Sequence, residues 1–348
     1  MSPQQKALFL PRKQGNFELG SRSIPSPEAG QLLVKIQCAA LNPVDYKIKD
    51  AGIIVTDYPA VLGTDIAGIV EEVGEGVENF RKGDRVLAHG KFGNDFTGFQ
   101  QYTLTDARFT AKIPPSESFD SAATVPVGLD TAVVGLYGND FGAGVTPPWT
   151  TSAGGHESKK PIVILGGSSS VGSYVIQLAH LSGFYPIIAT ASSSNEGLVR
   201  DYGATHFFDR NLSGKQLKAA IGKITDSPIG IVYDAISLPE TQSVAWELLA
   251  NNGTLVLTLF ALVKEDEGKG RKVILTFGDA QAPQNQELCG SSWAVVEKWL
   301  SEGTIQPNKY EVLPNGLDGI LGGLERLKLG QVSWNEVGCS PSGNIVNA

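Results

Sequence analysis

The chain has 348 residues, a formal net charge of −8, a hydrophobic content of 41 % and a charged content of 18 %. That length and balance fit about two soluble domains with ample apolar material for their cores. The acidic charge excludes the basic face a nucleic-acid surface requires, and no apolar run reaches the length of a membrane span.

Three scattered cysteines, Cys38, Cys289 and Cys339, form no disulfide framework and fit a reducing compartment. Met1 to Lys6 lacks the apolar core of a signal peptide, so a cytoplasmic protein is expected. The first third reads as short strands cut by Gly and Pro: Gln31–Cys38, Ala67–Gly74 and Asp84–Ala88. That texture predicts a small β-barrel-like domain. Ser121–Leu136 is rich in small apolar residues and predicts a helix near Thr131–Tyr137. A polar loop follows from Gly142 to Lys160.

From Pro161 the pattern alternates. Ile162–Leu165 is a continuous apolar run, as in a strand buried on both faces. Val171, Val175, Leu178 and Ala179 recur at helical spacing, and Gly183 closes that helix. Pro186–Thr190, Ile231–Asp234 and Leu255–Thr258 follow as strands separated by helical stretches. This βαβαβ rhythm predicts a doubly wound parallel sheet, so the fold class is α/β. A helix near Trp293–Leu300 precedes a tail that returns to the first domain. The expected division is 1–125 with 280–348 as one domain and 126–279 as the other.

The buried strand runs straight into Gly166-Gly167-Ser168-Ser169-Ser170-Val171-Gly172 and then a helix. Glycines let backbone approach a pyrophosphate, and the helix start offers N–H groups and a positive dipole end. Against G-x-G-x-x-G, Gly167 and Gly172 match, and Ser169 replaces the middle glycine. A P-loop would need Lys and Ser/Thr after the last glycine, where Ser173 and Tyr174 stand. A nucleophile elbow would need glycine where Ser170 stands. NAD-type folds place a carboxylate about 20 residues on, at the end of the second strand. Here Ser192, Ser193, Ser194 and Asn195 stand there, which suits the 2′-phosphate of NADPH, with Arg200 or Arg210 as candidate sources of charge. The same serines also suit a helix cap.

The four histidines, His89, His156, His180 and His206, and the three cysteines show no C-x-x-C pair and no Cys–His partnership. No metal site is expected.

Four segments stand in order before the nucleotide turn. They are Asn42-Pro43-Val44-Asp45-Tyr46-Lys47, Gly63-Thr64-Asp65-Ile66-Ala67-Gly68, Val73-Gly74-Glu75-Gly76-Val77 and Lys82-Gly83-Asp84-Arg85-Val86. With them the chain resembles the medium-chain dehydrogenase/reductase superfamily over nearly its whole length. Zinc-dependent members carry His-Glu where Thr64-Asp65 stand here, so the resemblance is to the zinc-free branch. Within it, Asp45-Tyr46-Lys47, the serine-bearing turn, Leu181–Thr190 and Tyr202-Gly203-Ala204 before Phe207-Phe208-Asp209 are similar to fungal trans-acting enoyl reductases, and more distantly to quinone oxidoreductases.

The resemblance implies a GroES-like catalytic domain built from both chain ends around a central Rossmann domain that binds NADPH. By position it implies that Val44, Asp45, Tyr46 and Lys47 lie near the nicotinamide and that Ser168 to Val171 hold the pyrophosphate. Ser192 to Asn195 would hold the 2′-phosphate end, and Thr258 and Leu259 would flank the nicotinamide. The substrate would border Thr131, Ala132, Val133, Val134, Gly135, Leu136, Tyr137 and Gly138, with Phe277 and Gly278. Two departures from the family pattern are Arg210, where relatives carry an aromatic residue, and the tail Gly330-Gln331-Val332-Ser333-Trp334-Asn335.

The expected reaction is reduction of an activated C=C bond in a small-molecule or carrier-bound enoyl or enone, with a polyketide synthase as a candidate partner. The cofactor carries the chemistry, and the protein must stabilise an enolate oxygen. Lys47 is the leading catalytic candidate. Tyr46 either donates to the oxyanion or packs under the cofactor, and Thr131 either bonds substrate or caps a helix. Asp45 is expected to anchor local backbone. Quinone reduction, zinc-free alcohol or carbonyl dehydrogenation, and a non-catalytic NADPH-binding partner of a synthase are the alternatives.

Overall fold

The computed structural model describes residues 3–150, 157, 159–264 and 269–332, and the backbone of 336–339. His156, Ser333, Trp334 and Asn335 lie outside the described residues, as does the side chain of Cys339. Contacts divide the chain into two compact units. One comprises 1–127, 296–301 and 307–348; the other comprises 128–295 and 302–306. Residues 280–295, expected with the tail, therefore pack in the second unit. There the Trp293 indole donates to both oxygens of the buried Asp130 carboxylate, at 3.1 and 3.0 Å.

The first unit is mainly antiparallel. In chain order it holds β1 (Gln4–Leu10), β2 (Glu18–Ser23), β3 (Gln31–Leu41), helix α1 (Pro43–Ala51), β4 (Ala60–Val61), β5 (Asp65–Val73), β6 (Arg85–His89), β7 (Tyr102–Asp106), β8 (Thr110–Lys112) and α2 (Phe119–Ala123). Helix α3 (Pro126–Tyr137) starts here and continues in the second unit. β2-β1-β4 form a small sheet, and β5, β7 and a C-terminal strand all pair antiparallel with β3. Leu32, Val34, Ile36, Ile66, Val70, Val86 and Phe99 fill the core between them. Alternation weakens along β3 because both of its faces are covered, which is why its buried run extends to Leu41.

The second unit alternates strand and helix: β9 (Ile162–Leu165), α4 (Ser170–Leu181), β10 (Ile187–Ala191), α5 (Glu196–Asp201), β11 (His206–Asp209), α6 (Gly214–Ile221), β12 (Ile231–Asp234), α7 (Pro239–Leu248), β13 (Thr254–Leu257) and β14 (Lys272–Leu275). All six strands are parallel, in the order β11-β10-β9-β12-β13-β14. Counted from the first strand this is 3-2-1-4-5-6, the dinucleotide-binding order, with the topological switch between β9 and β12. Helix α8 (Gln286–Glu302) follows. Then β15 (Tyr310–Val312), α9 (Ile320–Lys328) and β16 (Glu336–Cys339) complete the chain, with β15 and β16 joining the sheet of the first unit.

The α/β architecture expected from the sequence is the one observed. Two elements differ from expectation. Helix α3 begins at Pro126 rather than near Thr131, since proline is at home in a first helical turn. Thr131 is therefore interior to the helix and not its cap. The sixth strand, Lys272–Leu275, leaves no mark in the sequence because it is short and half-exposed at the sheet edge.

Candidate active site

The turn between β9 and α4 sits at the switch point. A Cβ on Gly172 would lie 2.1 Å from the Gly166 carbonyl oxygen, so the chain doubles back where no side chain fits. The Ser169 hydroxyl donates to the Gly166 carbonyl at 2.8 Å and accepts from the Gly172 amide at 3.1 Å. The serine in place of the usual glycine thus braces the turn and caps α4. Ser170 and Val171, in the first turn, have amides with no carbonyl four residues back within the helix. These first-turn amides and the positive dipole end of the 12-residue α4 lie at this turn. These residues fit a dinucleotide pyrophosphate.

At the end of β10, Ser192 and Asn195 make no side-chain cap bond to the helical turns that follow. The capping role weighed for these serines is therefore not what holds them. Asn195 Nδ2 instead donates to Ser168 Oγ at 3.0 Å, tying this loop to the phosphate turn. The Ser193 hydroxyl donates to the Asp209 carboxylate, and that bond holds the Asp209 pKa below its usual value. Arg200 is taken by Glu196 at 2.8 Å. Arg210 is exposed, and its amide donates to the Ala191 carbonyl at 2.8 Å, which sets it beside the end of β10.

Past β12, the loop carrying Ile236 covers Gly166: a Cβ there would lie 2.5 Å from the Ile236 side chain. Asp234 Oδ1 accepts from the amides of Ile236 (3.0 Å) and Ser237 (2.8 Å). The Thr258 amide donates to Ser237 Oγ at 2.9 Å, so the segment after β13 is tied to the segment after β12. Leu259 is half-buried and Phe260 is 79 % exposed.

On α3, Ala132, Val133, Val134 and Leu136 are fully buried. The Tyr137 hydroxyl is occupied by the Leu178 carbonyl (3.1 Å) and Ser182 Oγ (2.7 Å). Thr131 lies against Gly278, where a Cβ would stand 2.1 Å from Thr131 Oγ1. Two segments far apart in sequence thus meet at Thr131, with Phe277 exposed beside them. Gly135 packs against Tyr233, where a Cβ would stand 2.4 Å from the tyrosine hydroxyl oxygen, and Gly138, just past the helix, donates its amide to the Val134 carbonyl at 2.8 Å.

In the first unit, α1 presents Val44, Tyr46 and Lys47 as half-buried side chains. Burial lowers the Lys47 pKa; burial, and then the nearby Asp50 carboxylate, raise that of Tyr46. Asp45 is fully buried. Its Oδ2 accepts from the Asn42 amide at 2.8 Å and its Oδ1 from the Gly63 amide at 3.2 Å, the backbone anchoring expected of it. Asn42 Nδ2 donates in turn to Asp65 Oδ2 at 2.7 Å, and Asp65 Oδ1 accepts from the Val127 amide at 2.7 Å. Two buried carboxylates thereby clamp the start of α1, the Gly63 turn and the start of α3. Burial pushes the Asp45 pKa up to about 7, and Asp65 pushes it the same way. From the sequence, Asp65 stands out only as a replacement in a zinc pair. The signal for its further role is Asn42 three residues ahead of Asp45, the spacing of a reciprocal cap. Among the described residues no group of three or more His, Cys, Asp or Glu is arranged to hold a metal ion, and no helix is long and apolar enough to cross a membrane.

An antiparallel unit with an inserted-helix clamp, together with a six-stranded dinucleotide-type unit, defines the alcohol-dehydrogenase class of oxidoreductases. The alcohol dehydrogenase GroES-like domain family matches residues 28–115, and the family described as zinc-binding dehydrogenase matches 170–293. The trans-enoyl reductase resD of Aspergillus sclerotiorum is 33 % identical, covering 89 % of this chain and 93 % of its own. The trans-enoyl reductase himH of Aspergillus japonicus is 31 % identical, covering 93 % and 94 %. The crystal structure of an alcohol dehydrogenase superfamily protein from Novosphingobium aromaticivorans superposes with a TM-score of 0.80 at 24 % identity, covering 97 % of this chain and 99 % of that one. The chain belongs to the medium-chain dehydrogenase/reductase family, alongside the fungal trans-enoyl reductases. Its fold is that of a nicotinamide-cofactor enzyme.

Proposed function

We propose that the chain is an NADPH-dependent reductase of activated C=C bonds that acts in trans on enoyl thioesters carried by a polyketide synthase in the cytoplasm. The near full-length likeness to proteins named trans-enoyl reductases carries this reading. NADPH is favoured over NADH by the absence of a carboxylate at residues 192–195 and by the exposed Arg210 beside them. The ionised Asp209 at Ser193 opposes part of that preference. In this reading the first unit supplies the substrate-side groups and the second holds the cofactor. Arg210, Ser192, Ser194 and Asn195 take the 2′-phosphate end. Gly167 to Gly172 cradle the pyrophosphate, and Thr258 and Leu259 border the nicotinamide.

Bound NADPH supplies a hydride for the β-carbon of the acceptor. The enolate oxygen that develops needs a donor. Lys47 is the donor we assign, through its ammonium; the hydroxyls of Tyr46 and Thr131 are the further candidates. The α-carbon takes its proton from solvent or from one of these groups.

The test is NADPH consumption with crotonyl thioesters, enals, quinones and simple alcohols, with the thioesters free and on a synthase carrier domain. Thioester or enal reduction is expected. No turnover on any thioester, free or carrier-bound, would overturn the proposal. Turnover confined to quinones or alcohols would do the same.

A further inference from the structure

Gln242 belongs to no sequence motif, yet it is fully buried and bonded to the loops after β12 and β13. It lies in the first turn and a half of α7, which starts at Pro239. Its Nε2 donates to the carbonyls of Ser237 (2.9 Å) and Phe260 (3.0 Å), and its Oε1 accepts from the Leu262 amide at 2.8 Å. One side chain thus uses both donor hydrogens and its acceptor on two loops that leave neighbouring strands, β12 and β13. The β12 loop is itself held in an unusual shape. Ser237 sits at φ +56°, a conformation rare for a residue with a side chain. Asp234 Oδ1 fixes its amide at 2.8 Å, and its hydroxyl meets the Thr258 amide at 2.9 Å. The β13 loop carries Phe260 and Leu262 outward, 79 % and 61 % exposed. Apolar side chains in water do not pin a loop, so up to Val263, which packs against the core cluster, the stretch is held by polar contacts to its backbone.

We infer that Gln242 is a positioning residue, which fixes the segment 258–262 so that Thr258 and Leu259 are held at the nicotinamide side of the cofactor crevice. The inference rests on the cofactor reading above for what the loop flanks, and on geometry alone for what holds the loop. The crevice of such a sheet opens at the carboxyl ends of its strands on either side of the switch point. β12 ends there, and Ile236 from the same loop covers Gly166 of the phosphate turn. Preorganisation of that loop lowers the ordering cost when the ring is placed for transfer.

The test compares Gln242→Leu with Leu248→Ala. Leu248 lies on the same helix, in the hydrophobic cluster behind the sheet, and its side chain has no polar atom to bond either loop. In Gln242→Leu the Leu262 amide loses its acceptor, and the buried Ser237 carbonyl and the partly exposed Phe260 carbonyl lose their donor. Hydrogen exchange at Leu262 is expected to quicken about tenfold or more. With NADPH saturating, kcat on a reducible thioester is expected to fall about tenfold while KM stays within about twofold. Leu248→Ala is expected to lower Tm with neither change. Wild-type exchange at Leu262 in Gln242→Leu would overturn the inference. Equal acceleration in Leu248→Ala would also overturn it, since loosening would then be general. If the wild-type protein reduces no thioester, the functional reading falls. The exchange comparison, with NADPH affinity measured by fluorescence, still decides whether Gln242 holds the loop and whether the loop matters to the cofactor.

Discussion

Replacing Asp45 by asparagine should flatten the pH dependence of stability, and the size of the effect follows from the clamp. The Asp45 carboxyl has its pKa raised from 3.8 to about 7, chiefly by burial. Between those values the folded chain holds a proton that the unfolded chain has released. Each pH unit in that window therefore costs the wild-type fold about 1.4 kcal/mol. This contribution is fully present below pH 3.8 and lost as pH rises to about 7. From pH 5 to pH 7 the loss is about 2 kcal/mol, because the slope halves as the folded group itself titrates near 7. With about 2.1 cal/mol/K per residue of unfolding entropy, that is about 3 °C in Tm if the whole chain unfolds together. It is about twice that if the first unit unfolds alone. The side-chain amide introduced by Asp45→Asn does not titrate but can still accept from one of the two backbone amides. The assay is thermal unfolding of both proteins at pH 5, 6, 7 and 8. The Tm difference, wild type minus variant, should shrink or become more negative by several degrees as pH rises. Parallel curves would refute the argument that Asp45 carries a buried, titrating proton.

Three further outcomes are expected. Lys47→Met should lower kcat on thioesters about a hundredfold without lowering Tm, because burial already disfavours the charged amine. In the wild type, activity should fall on the alkaline side before the ordinary lysine range is reached; a profile flat up to that range would remove Lys47 as the donor. Gly172→Ala should weaken NADPH binding at least about tenfold in a fluorescence titration, because its Cβ would stand 2.1 Å from the Gly166 carbonyl oxygen. Unchanged affinity would mean the turn is not the pyrophosphate cradle. Arg210→Ala should weaken NADPH about fivefold or more while leaving NADH nearly unchanged. Equal loss for both cofactors would place Arg210 away from the 2′-phosphate.

Local information was enough for the elements whose burial leaves a pattern in the chain. Ile162–Leu165, running into Gly166 to Gly172 and then a 3.6-period helix, specified strand, turn and helix, since each rests on neighbours within a few residues. The motif order before it was likewise readable. β14 was not, because an edge strand of four half-exposed residues has no burial pattern of its own. Nor was the start of α3, where small apolar residues suit helix and loop alike.

The site divides along the same line. The amino-acid order alone determined the glycine-serine turn, the serines after the second strand, the missing carboxylate there and the Asp45-Tyr46-Lys47 run. Those depend on residue type and short spacing. Only the tertiary structure decided that Ser169 braces the turn from within, that Arg200 is occupied by Glu196 while Arg210 stands outside that pair beside Ala191, and that Thr131 meets Gly278. It also decided that Asn42 joins Asp45 to Asp65, and that Gln242 binds two loops from neighbouring strands. Ser169–Gly166, Glu196–Arg200 and Asn42–Asp45 lie three or four residues apart, where the spacing permits the contact and the fold decides whether it is made. Asn42–Asp65, Thr131–Gly278 and the Gln242 bonds to Phe260 and Leu262 join residues whose separation carries no periodic signal, and they become neighbours only when the fold brings distant segments together.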